Sequence, residues 1–378
     1  MKKLGIYIHI PFCEKKCNYC DFYSFKTDED SKKKYIDCLT KHISKESEMY
    51  KEYTIDTVFI GGGTPSVIHP DDMEKLVEIL KKSFDFSEKT EFTIEANPGT
   101  VSSDILKKYL SLGISRISFG LQSTNDKELK TLGRIHTYKD FLNTYTLARE
   151  AGFKNINIDI MYALPHQRID SLRSTLSDVI KLSPEHISAY CLKIEKGTPF
   201  YEQKDVLDLP SDDMQYEMYL EICTQFVKNG YQQYEISNFA LDGFECAHNL
   251  KYWNSEEYLG FGPAAHSFID GKRFFYPDSV MEYESQIEKG NLPKKEYEET
   301  HILTEKEKMD EYVMLKMRLS SGIDILDFRQ KFNRDFDETY PKTKEYIKTE
   351  HIKKDFNKYS FTPKGFFVSN YILSDILF

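Results

Sequence analysis

Apolar segments and amphipathic segments alternate along the first half of the chain, and this alternation limits the folds open to it. The amphipathic segments begin with residues that cap helices, such as Asp71 and Ser102, and several end near a glycine, such as Gly113 and Gly152. Repeated strand-then-helix units imply parallel strands joined by right-handed crossovers. The predicted strands are Gly5–Ile10, Thr57–Gly61, Glu91–Ala96, Ser115–Leu121, Asn155–Tyr162 and His186–Leu192. The pattern predicts an α/β barrel or partial barrel, with an open doubly wound sheet as the alternative.

Polar side chains recur on one face of three of these predicted strands. Alternation gives the polar sets Thr93, Glu95 and Asn97, then Ser118, Gly120 and Gln122, then Asn157 and Asp159. A strand that is buried on both faces should be almost entirely apolar. Polar side chains near the carboxyl ends of several strands therefore favour a barrel lumen that holds a polar ligand. The alternative is a buried network in which these groups hydrogen-bond to one another.

Three cysteines with Cx3Cx2C spacing follow the first predicted strand: Cys13, Cys17 and Cys20. Three thiolates can hold three irons of a 4Fe–4S cluster and leave the fourth iron without a protein ligand. A structural zinc site, with His9 or a distant residue as the fourth ligand, is the alternative. Zinc sites usually combine paired ligands, and the sequence contains no second Cx2C pair. The spacing therefore favours an iron–sulfur cluster.

Composition and charge restrict the compartment and the partners. The net charge of −10 argues against a general nucleic-acid binder, because phosphate contacts need a basic surface. No signal peptide is predicted, and no apolar run approaches the roughly 20 residues that span a bilayer. Cys38, Cys191 and Cys223 lie in apolar patterns typical of a core, so a disulfide framework is not expected. We therefore expect a soluble, cytoplasmic protein.

Three glycines, Gly61, Gly62 and Gly63, end the second predicted strand and precede Thr64 and Pro65. Glycine at a strand end lets a ligand approach the backbone closely. The segment is neither a GxGxxG motif nor a Walker A loop, so it does not predict a dinucleotide or ATP site. Because parallel strands end at one edge of the sheet, this loop is expected to lie near the cysteines.

Taken together, these motifs resemble the radical S-adenosylmethionine superfamily and, within it, the HemN/HemW group of coproporphyrinogen dehydrogenase-like proteins. The segments that carry the resemblance are Ile8–Cys13, Gly61–Pro65, Glu95–Pro98, Ser118–Gln122, Leu132–Arg134 and Asp159–Pro165. The resemblance implies a partial (β/α)6 TIM-like barrel with one 4Fe–4S cluster on the three cysteines. It also implies a smaller C-terminal domain that is helical and winged-helix-like.

The same resemblance implies that S-adenosylmethionine chelates the open iron through its amino and carboxylate groups. The expected contacts are Tyr7 beside the cluster, Gly61, Gly62, Gly63 and Thr64 at the methionyl part, and Glu95, Gln122, Arg134 and Asp159 around the rest. These residue types suit the cofactor, since carboxylates accept hydrogen bonds from amines and hydroxyls, and guanidinium pairs with carboxylate. One electron from the cluster would release a 5′-deoxyadenosyl radical.

Two features resemble the HemW heme chaperones rather than the dehydrogenases of this group. The dehydrogenases carry a further cysteine two positions after the third ligand, and this chain has Phe22 there. His248, Tyr252 and Trp253 form an HNxxYW motif, which the resemblance links to heme binding. The imidazole suits heme iron and the aromatic rings suit a porphyrin, whereas a packed or hydrogen-bonded His248 is the alternative. Other candidate axial ligands are Cys246 and His266.

The last third of the sequence has a weaker pattern. Met214–Lys228 is predicted to be a helix, Tyr231–Phe239 a strand that extends the sheet, and Asp270–Thr300 an irregular linker. Thr304 and Glu307 form a capping-box pattern, and Ile325–Phe332 is predicted to be a helix. We divide the chain into residues 1–240 (barrel), 241–300 (HNxxYW segment and linker) and 301–378 (HemN-type C-terminal domain).

The leading hypothesis is a HemW-like heme chaperone that binds a 4Fe–4S cluster, S-adenosylmethionine and heme, and delivers heme to hemoproteins. The alternatives are an oxygen-independent coproporphyrinogen III dehydrogenase and a zinc-bearing interaction module. We expect no nucleic-acid partner and either a monomer or a dimer. Peripheral association with a membrane is compatible with this hypothesis. Whether the chain is an enzyme stays open at this point.

Overall fold

A computed structural model describes residues 2–297 and 303–378. The strands of the large sheet are β1 (Lys2–Ile10), β2 (Tyr53–Gly62), β3 (Asp85–Ala96), β4 (Arg116–Gln122), β5 (Ile156–Tyr162), β6 (His186–Cys191), β7 (Gln232–Gln233), β8 (Asn238–Ala240), β9 (Tyr258–Phe261), β10 (His266–Ile269), β11 (Lys272–Phe275) and β12 (Glu296–Tyr297). The strands of a small second sheet are β13 (Ile323–Asp324), β14 (Ile352–Asp355) and β15 (Lys358–Phe361).

The helices that accompany the large sheet are α1 (Glu29–Glu46), α2 (Pro70–Ser83), α3 (Ser103–Ser111), α4 (Asp126–Thr131), α5 (Tyr138–Ala151), α6 (Ile169–Leu182), α7 (Pro199–Glu202), α8 (Asp212–Lys228), α9 (Ala247–Trp253) and α10 (Val280–Glu288). Those of the C-terminal region are α11 (Glu305–Lys316), α12 (Ile325–Phe332), α13 (Phe336–Thr339), α14 (Thr343–Lys348), α15 (Pro363–Phe367) and α16 (Ser369–Leu377). Short 3-10 helices cover Ser47–Tyr50 and Pro65–Val67.

The order of the strands decides between a barrel and a doubly wound sheet. The large sheet runs β12-β11-β10-β9-β1-β2-β3-β4-β5-β6-β8-β7, and β1 to β6 are parallel neighbours in chain order. A doubly wound sheet would reverse its strand order at a switch point. Sequential right-handed crossovers instead keep the helices on one face and leave the other face as a lumen. The partial barrel is confirmed, and the doubly wound alternative is wrong.

Burial along β1 shows how the sequence orients a barrel strand. Ile6, Ile8 and Ile10 are fully buried, and β1 alternates these apolar residues with Tyr7 and His9. Because neighbouring side chains on a strand point to opposite faces, the isoleucines pack against the helices while Tyr7 and His9 face the lumen. Each buried isoleucine stabilises the fold by about 1.5–3 kcal/mol. The core of the barrel therefore lies between its strands and the surrounding helices.

The sheet continues beyond both edges of the parallel barrel. On one side β9 pairs in parallel with β1, and β10, β11 and β12 follow as antiparallel strands. The irregular linker predicted for Asp270–Thr300 was wrong over β11, α10 and β12, because strands of two to four residues are too short to show an alternating pattern. Residues 298–300 lie outside the described part. On the other side, the strand predicted for Tyr231–Phe239 is split into β7 and β8, which extend the sheet from β6.

The C-terminal region combines helices with a small antiparallel sheet in the order β13-β15-β14. The predicted capping box of Thr304 and Glu307 begins α11, and the predicted helix Ile325–Phe332 is α12. Aromatic side chains such as Phe328 and Phe336 form the core of this region. The winged-helix-like prediction agrees with this arrangement, while the boundaries at residues 240 and 300 stay predictions. No helix within the described residues is long and apolar enough to cross a bilayer.

Candidate functional site

One cavity lies where the carboxyl ends of β2 to β5 meet the cysteine loop. Its lining includes all three loop cysteines and most residues that were predicted for S-adenosylmethionine. The predicted residues in the lining are Cys13, Cys17, Cys20, Gly62, Gly63, Thr64, Glu95, Gln122, Arg134 and Asp159. The folding of a parallel barrel explains this convergence, because its strands all end at the same rim. Tyr7 and Gly61 are not in the lining.

Two backbone hydrogen bonds hold the cysteine loop: one closes the loop on itself, and one joins it to the residue that follows α4. The Cys13 amide donates to the Phe25 carbonyl (2.9 Å), and the Asn18 amide donates to the Leu132 carbonyl (2.9 Å). Each of two thiols also receives a contact, from Thr64 Oγ1 to Cys13 Sγ and from Arg134 Nη1 to Cys17 Sγ, both at 3.5 Å. These bonds hold the thiols at the wall of the cavity.

The thiols line a shared space without converging on a single point. Within residues 2–297 and 303–378, no set of three or more His, Cys, Asp or Glu side chains is gathered closely enough to hold one metal ion. Burial raises the pKa of Cys20, and the neighbouring Cys17 and Cys13 raise it further. A bound metal centre would offset this effect, because coordinated thiols are deprotonated.

Gly63 is required by close packing against the cysteine loop, and Gly62 by its backbone conformation. A Cβ atom at Gly63 would lie 2.6 Å from the Phe12 carbonyl oxygen and 3.0 Å from Cys13 Sγ. Gly62 has a φ of +116°, where other residues are strained. A Cβ atom at Gly61 would lie 3.0 Å from Glu95 Oε2, so this glycine makes room for the carboxylate. The glycine motif thus places the end of β2 against both the thiols and Glu95.

Two buried carboxyl groups, Glu95 and Asp159, face the cavity. Burial raises the pKa of Glu95 to about 8, and the Asp159 carboxyl contributes, while a hydrogen bond from the Gly62 amide (3.0 Å) opposes the shift. Burial also raises the pKa of Asp159, against hydrogen bonds from Ser118 and Asn157. Two ionised carboxylates that are buried close together repel each other. A cation bound beside them would offset this repulsion, so the pair favours a cationic ligand.

Arg134 joins three parts of the cavity wall. Its Nη2 donates to Asn97 Oδ1 and to the Gly120 carbonyl, both at 2.6 Å. Asn97 Nδ2 in turn donates to Thr64 Oγ1 (2.8 Å). Next to it, Gln122 ends β4 with a φ of +71°, a conformation that is uncommon outside glycine and that occurs often at binding sites. A guanidinium held this way can pair with a carboxylate of a ligand.

Tyr7 lies within the lumen, close to the cavity although not in its lining. Its hydroxyl is hydrogen-bonded to His9 Nδ1 (3.0 Å), and its ring stacks on Phe59 with centroids 6.4 Å apart. Burial raises the pKa of Tyr7, and the Glu95 charge adds to the effect. Tyr7 therefore borders Glu95, while its predicted contact with a cluster stays untested.

His248 lies in the interior of the protein. The side chain is 1% exposed, and its Nδ1 and Nε2 lie 2.8 Å from Thr57 Oγ1 and 2.9 Å from the Tyr252 hydroxyl. Burial, with the nearby charges of Lys251 and Arg116, lowers the pKa of His248 to about 3. Both ring nitrogens are thus already used, and this arrangement matches the packed, hydrogen-bonded alternative. Whether the HNxxYW segment contacts heme stays a prediction.

A structural role for His248 has a measurable consequence. We expect His248→Ala to lower the free energy of unfolding by roughly 2–4 kcal/mol, because it leaves a cavity and removes the hydrogen-bond partner of the Thr57 and Tyr252 hydroxyls. Urea unfolding of the two proteins measures this difference. His166→Ala serves as the control, since His166 is exposed and the loss of its surface contact with Asp208 should cost no more than about 1 kcal/mol. A His248→Ala protein as stable as the wild type would contradict the packed role.

Several residues of the lumen were not predicted as site residues. Asn97 lay on a predicted polar face, and this alternation was the signal that could have identified it. Tyr190 on β6 points its hydroxyl toward Asp159, and the removal of this hydroxyl from water raises its pKa, as do the charges of Asp159, Glu235 and Glu95. Glu91 accepts hydrogen bonds from the Ala247 and His248 amides at the start of α9. This contact joins distant parts of the chain, so no local pattern indicates it.

Comparison with known proteins agrees with this geometry. Residues 7–179 match the Radical SAM superfamily, and residues 303–368 match the HemN C-terminal domain. The chain is 37% identical to the heme chaperone HemW of Bacillus subtilis over 89% of its own length and 88% of that protein. It is 34% identical to the heme chaperone HemW of Lactococcus lactis over 100% of its length and 99% of that protein.

A solved structure supports the fold over the whole chain. The coproporphyrinogen III oxidase HemN of Escherichia coli superimposes with a TM-score of 0.86, covering 99% of this chain and 89% of that one. Its sequence identity of 23% supports the shared fold alone. The cysteine loop, the glycine-rich strand end, the barrel and the similarity to HemW proteins over almost their full length lead to one conclusion. The chain belongs to the radical S-adenosylmethionine superfamily and, within it, to the HemN/HemW group, where its sequence is similar to the HemW proteins.

Proposed function

We propose that this protein is a heme chaperone of the HemW type, with a 4Fe–4S cluster on Cys13, Cys17 and Cys20 and S-adenosylmethionine in the adjoining cavity. The relatives that are named heme chaperones extend over nearly the whole chain, which supports heme as the cargo and hemoproteins as recipients. The observation that carries the proposal is the single cavity shared by the three thiols and the polar ends of β2 to β5.

The charges of the cavity suit S-adenosylmethionine, which carries a sulfonium, an amine and a carboxylate. The buried Glu95 and Asp159 carboxyls supply negative charge for the cationic groups, and Arg134 supplies a positive charge for the carboxylate. When bound, the cluster supplies an electron to the cofactor. The residues of this chain bind and orient the cofactor and keep bulk water from it.

The Glu95 pKa gives a test of cofactor binding. A cation bound beside Glu95 favours the carboxylate, so we expect binding to release a proton wherever free Glu95 is protonated, that is, below its pKa of about 8. The affinity for S-adenosylmethionine should then fall as the pH is lowered from 8.5 to 6.5, by up to about tenfold per pH unit. Calorimetric titrations in two buffers of different ionisation enthalpy measure both quantities.

The Glu95→Gln variant distinguishes protons that this carboxyl releases from protons that other groups release, including the amine of the ligand. The glutamine can still hydrogen-bond to the Gly62 amide but cannot ionise. We expect the variant to release fewer protons and to show a weaker pH dependence than the wild type. Identical proton release in both proteins would contradict the proposed contact between Glu95 and the cationic part of the ligand.

Oxygen-independent decarboxylation of coproporphyrinogen III is the second candidate, because the fold is shared with HemN. Phe22, which takes the place of the further cysteine of the dehydrogenases, is 63% exposed and lines the cavity. Phe22 thus places an apolar ring where the dehydrogenases have a thiol. Anaerobically reconstituted protein decides between the candidates: we expect it to bind hemin and to pass it to an apo-hemoprotein without converting coproporphyrinogen. Conversion to protoporphyrinogen would contradict the chaperone function.

A further inference from the structure

Asn97 occupies a fixed position directly after β3. It begins a turn that runs to Thr100, and the Thr100 amide donates to the Asn97 carbonyl (3.2 Å). Pro98 at the second position and Gly99 with a φ of +83° at the third are typical of a type II turn. The Thr100 hydroxyl also donates to the Asn97 carbonyl (2.7 Å), and the Asn97 amide donates to Ser66 Oγ (3.3 Å). These bonds fix the backbone of Asn97 at the rim of the barrel.

The side-chain amide of Asn97 lies between two groups of the cavity wall. Arg134 Nη2 donates to Asn97 Oδ1 (2.6 Å), and Asn97 Nδ2 donates to Thr64 Oγ1 (2.8 Å). A guanidinium can only donate hydrogen bonds, so the amide turns its oxygen toward Arg134. This orientation leaves the amide N–H groups for Thr64. The contact with Arg134 therefore determines which atom Asn97 presents to the hydroxyl.

Both neighbours of Asn97 also reach a thiol of the cysteine loop. Thr64 Oγ1 donates to Cys13 Sγ, and the two atoms are 3.5 Å apart. Arg134 Nη1 donates to Cys17 Sγ, also at 3.5 Å. Because the Thr64 oxygen accepts from Asn97, its own proton is directed at Cys13. With Nη2 of Arg134 held by Asn97, Nη1 is left for Cys17. Asn97 thus fixes the direction of both donors through its two neighbours.

Donors of this kind affect the redox chemistry of a cluster. Hydrogen bonds to the sulfurs are one of the factors that set the reduction potential of an iron–sulfur cluster. Reduction adds one electron, which makes the cluster and its thiolate sulfurs more negative. Since hydrogen bonds strengthen as the acceptor gains negative charge, a donor at a thiolate stabilises the reduced form more than the oxidised form. Donors at two of the three thiolates should therefore raise the potential.

We propose that Asn97 is a positioning residue for the cluster, which raises the reduction potential by directing the Thr64 hydroxyl and the Arg134 guanidinium at the thiolates of Cys13 and Cys17. The proposal rests on the proposed function, because it requires a cluster on the three cysteines. It adds a residue that acts on the cluster only through its neighbours.

A redox titration of the anaerobically reconstituted full-length protein tests this role. Dithionite supplies the electron, and electron paramagnetic resonance measures the reduced fraction at each potential. We expect Asn97→Ala to lower the ratio of reduced to oxidised cluster at a fixed potential by roughly three- to tenfold, since hydrogen bonds to charged groups are lost or misdirected. Asn97 lines the cavity, so the shorter side chain opens space there and the variant should keep about four irons per chain.

A double-mutant cycle distinguishes positioning from a direct effect of the amide. Thr64→Val keeps the shape of the side chain and removes the hydroxyl, so it should shift the potential in the same direction. In the Thr64→Val background, Asn97→Ala should have a smaller effect than in the wild type, because the donor that Asn97 directs is already absent. Asn143→Ala is the matched control: Asn143 is exposed on α5, and its replacement should leave the potential unchanged.

The outcomes that would overturn the proposal can be told apart. If Asn97→Ala keeps the wild-type potential, or if the effects of the two substitutions simply add, Asn97 does not direct the Thr64 hydroxyl. If either variant loses its iron, the residue is needed to assemble the cluster, which contradicts a role in setting its potential. If the wild-type protein holds no iron–sulfur cluster, the proposed function itself is wrong, whatever the variants do.

Discussion

Cys17→Ala should reduce the iron content of the reconstituted protein from about four ions per chain to less than one, because a cubane held by three thiolates loses one of its protein ligands. Cys17 lies in the loop and outside the hydrophobic core, so the circular dichroism spectrum and the cooperative unfolding should be kept. Iron and sulfide analysis after anaerobic reconstitution measures the effect.

Cys38→Ala is the matched control for the cysteine loop. Cys38 is buried in α1 and faces the core, so its replacement should lower the free energy of unfolding by about 1 kcal/mol and leave the iron content unchanged. The two variants therefore separate cluster assembly from stability. Full iron content in Cys17→Ala would show that this cysteine does not hold the cluster.

Gly63→Ala should weaken S-adenosylmethionine binding by roughly 10- to 100-fold, because a cost of about 1–3 kcal/mol for overpacking at the cavity wall corresponds to this change in affinity. The new Cβ atom would lie 2.6 Å from the Phe12 carbonyl oxygen, so the end of β2 and the cysteine loop must move apart. We also expect a loss of about 1–3 kcal/mol in the free energy of unfolding from this overpacking. Equilibrium titration with S-adenosylmethionine and urea unfolding measure the two effects.

Gly243→Ala gives the control for glycine replacement. Gly243 has a φ of +79° with no atom within 4 Å of its would-be Cβ atom, so alanine there is strained at an open turn. It should cost about 1 kcal/mol and leave the affinity for S-adenosylmethionine unchanged. A Gly63→Ala protein with wild-type affinity would contradict the tight fit between β2 and the cysteine loop.

Local patterns are sufficient to predict the barrel and the gathering of its polar residues. The apolar runs of β1 to β6 are bounded by turns and separated by capped helices, so each strand can be identified by itself. In a parallel barrel every strand ends at one rim, and this alone brings Gly62, Glu95, Gln122 and Asp159 to one cavity. The resemblance to a known family then indicates the ligand chemistry.

Long-range contacts explain what the sequence could not predict. The HNxxYW motif gives no sign that α9 places His248 beside Thr57, a residue far away in the chain, and uses both of its ring nitrogens. The strands β10 to β12 are short and partly charged, and they form only because β9 pairs with β1 and offers an edge. Arg116 is 2% exposed and lies on the same polar face of β4 as Ser118 and Gly120, so the alternation could have indicated it.

The central claim is that three thiolates hold a 4Fe–4S cluster whose open iron binds S-adenosylmethionine. Electron paramagnetic resonance of the reduced, anaerobically purified protein, recorded before and after addition of S-adenosylmethionine and paired with metal analysis, tests it most directly. We predict about four irons per chain and a cluster signal that changes when the ligand is added. Zinc in place of iron, or a cluster signal that S-adenosylmethionine leaves unchanged, would contradict the account.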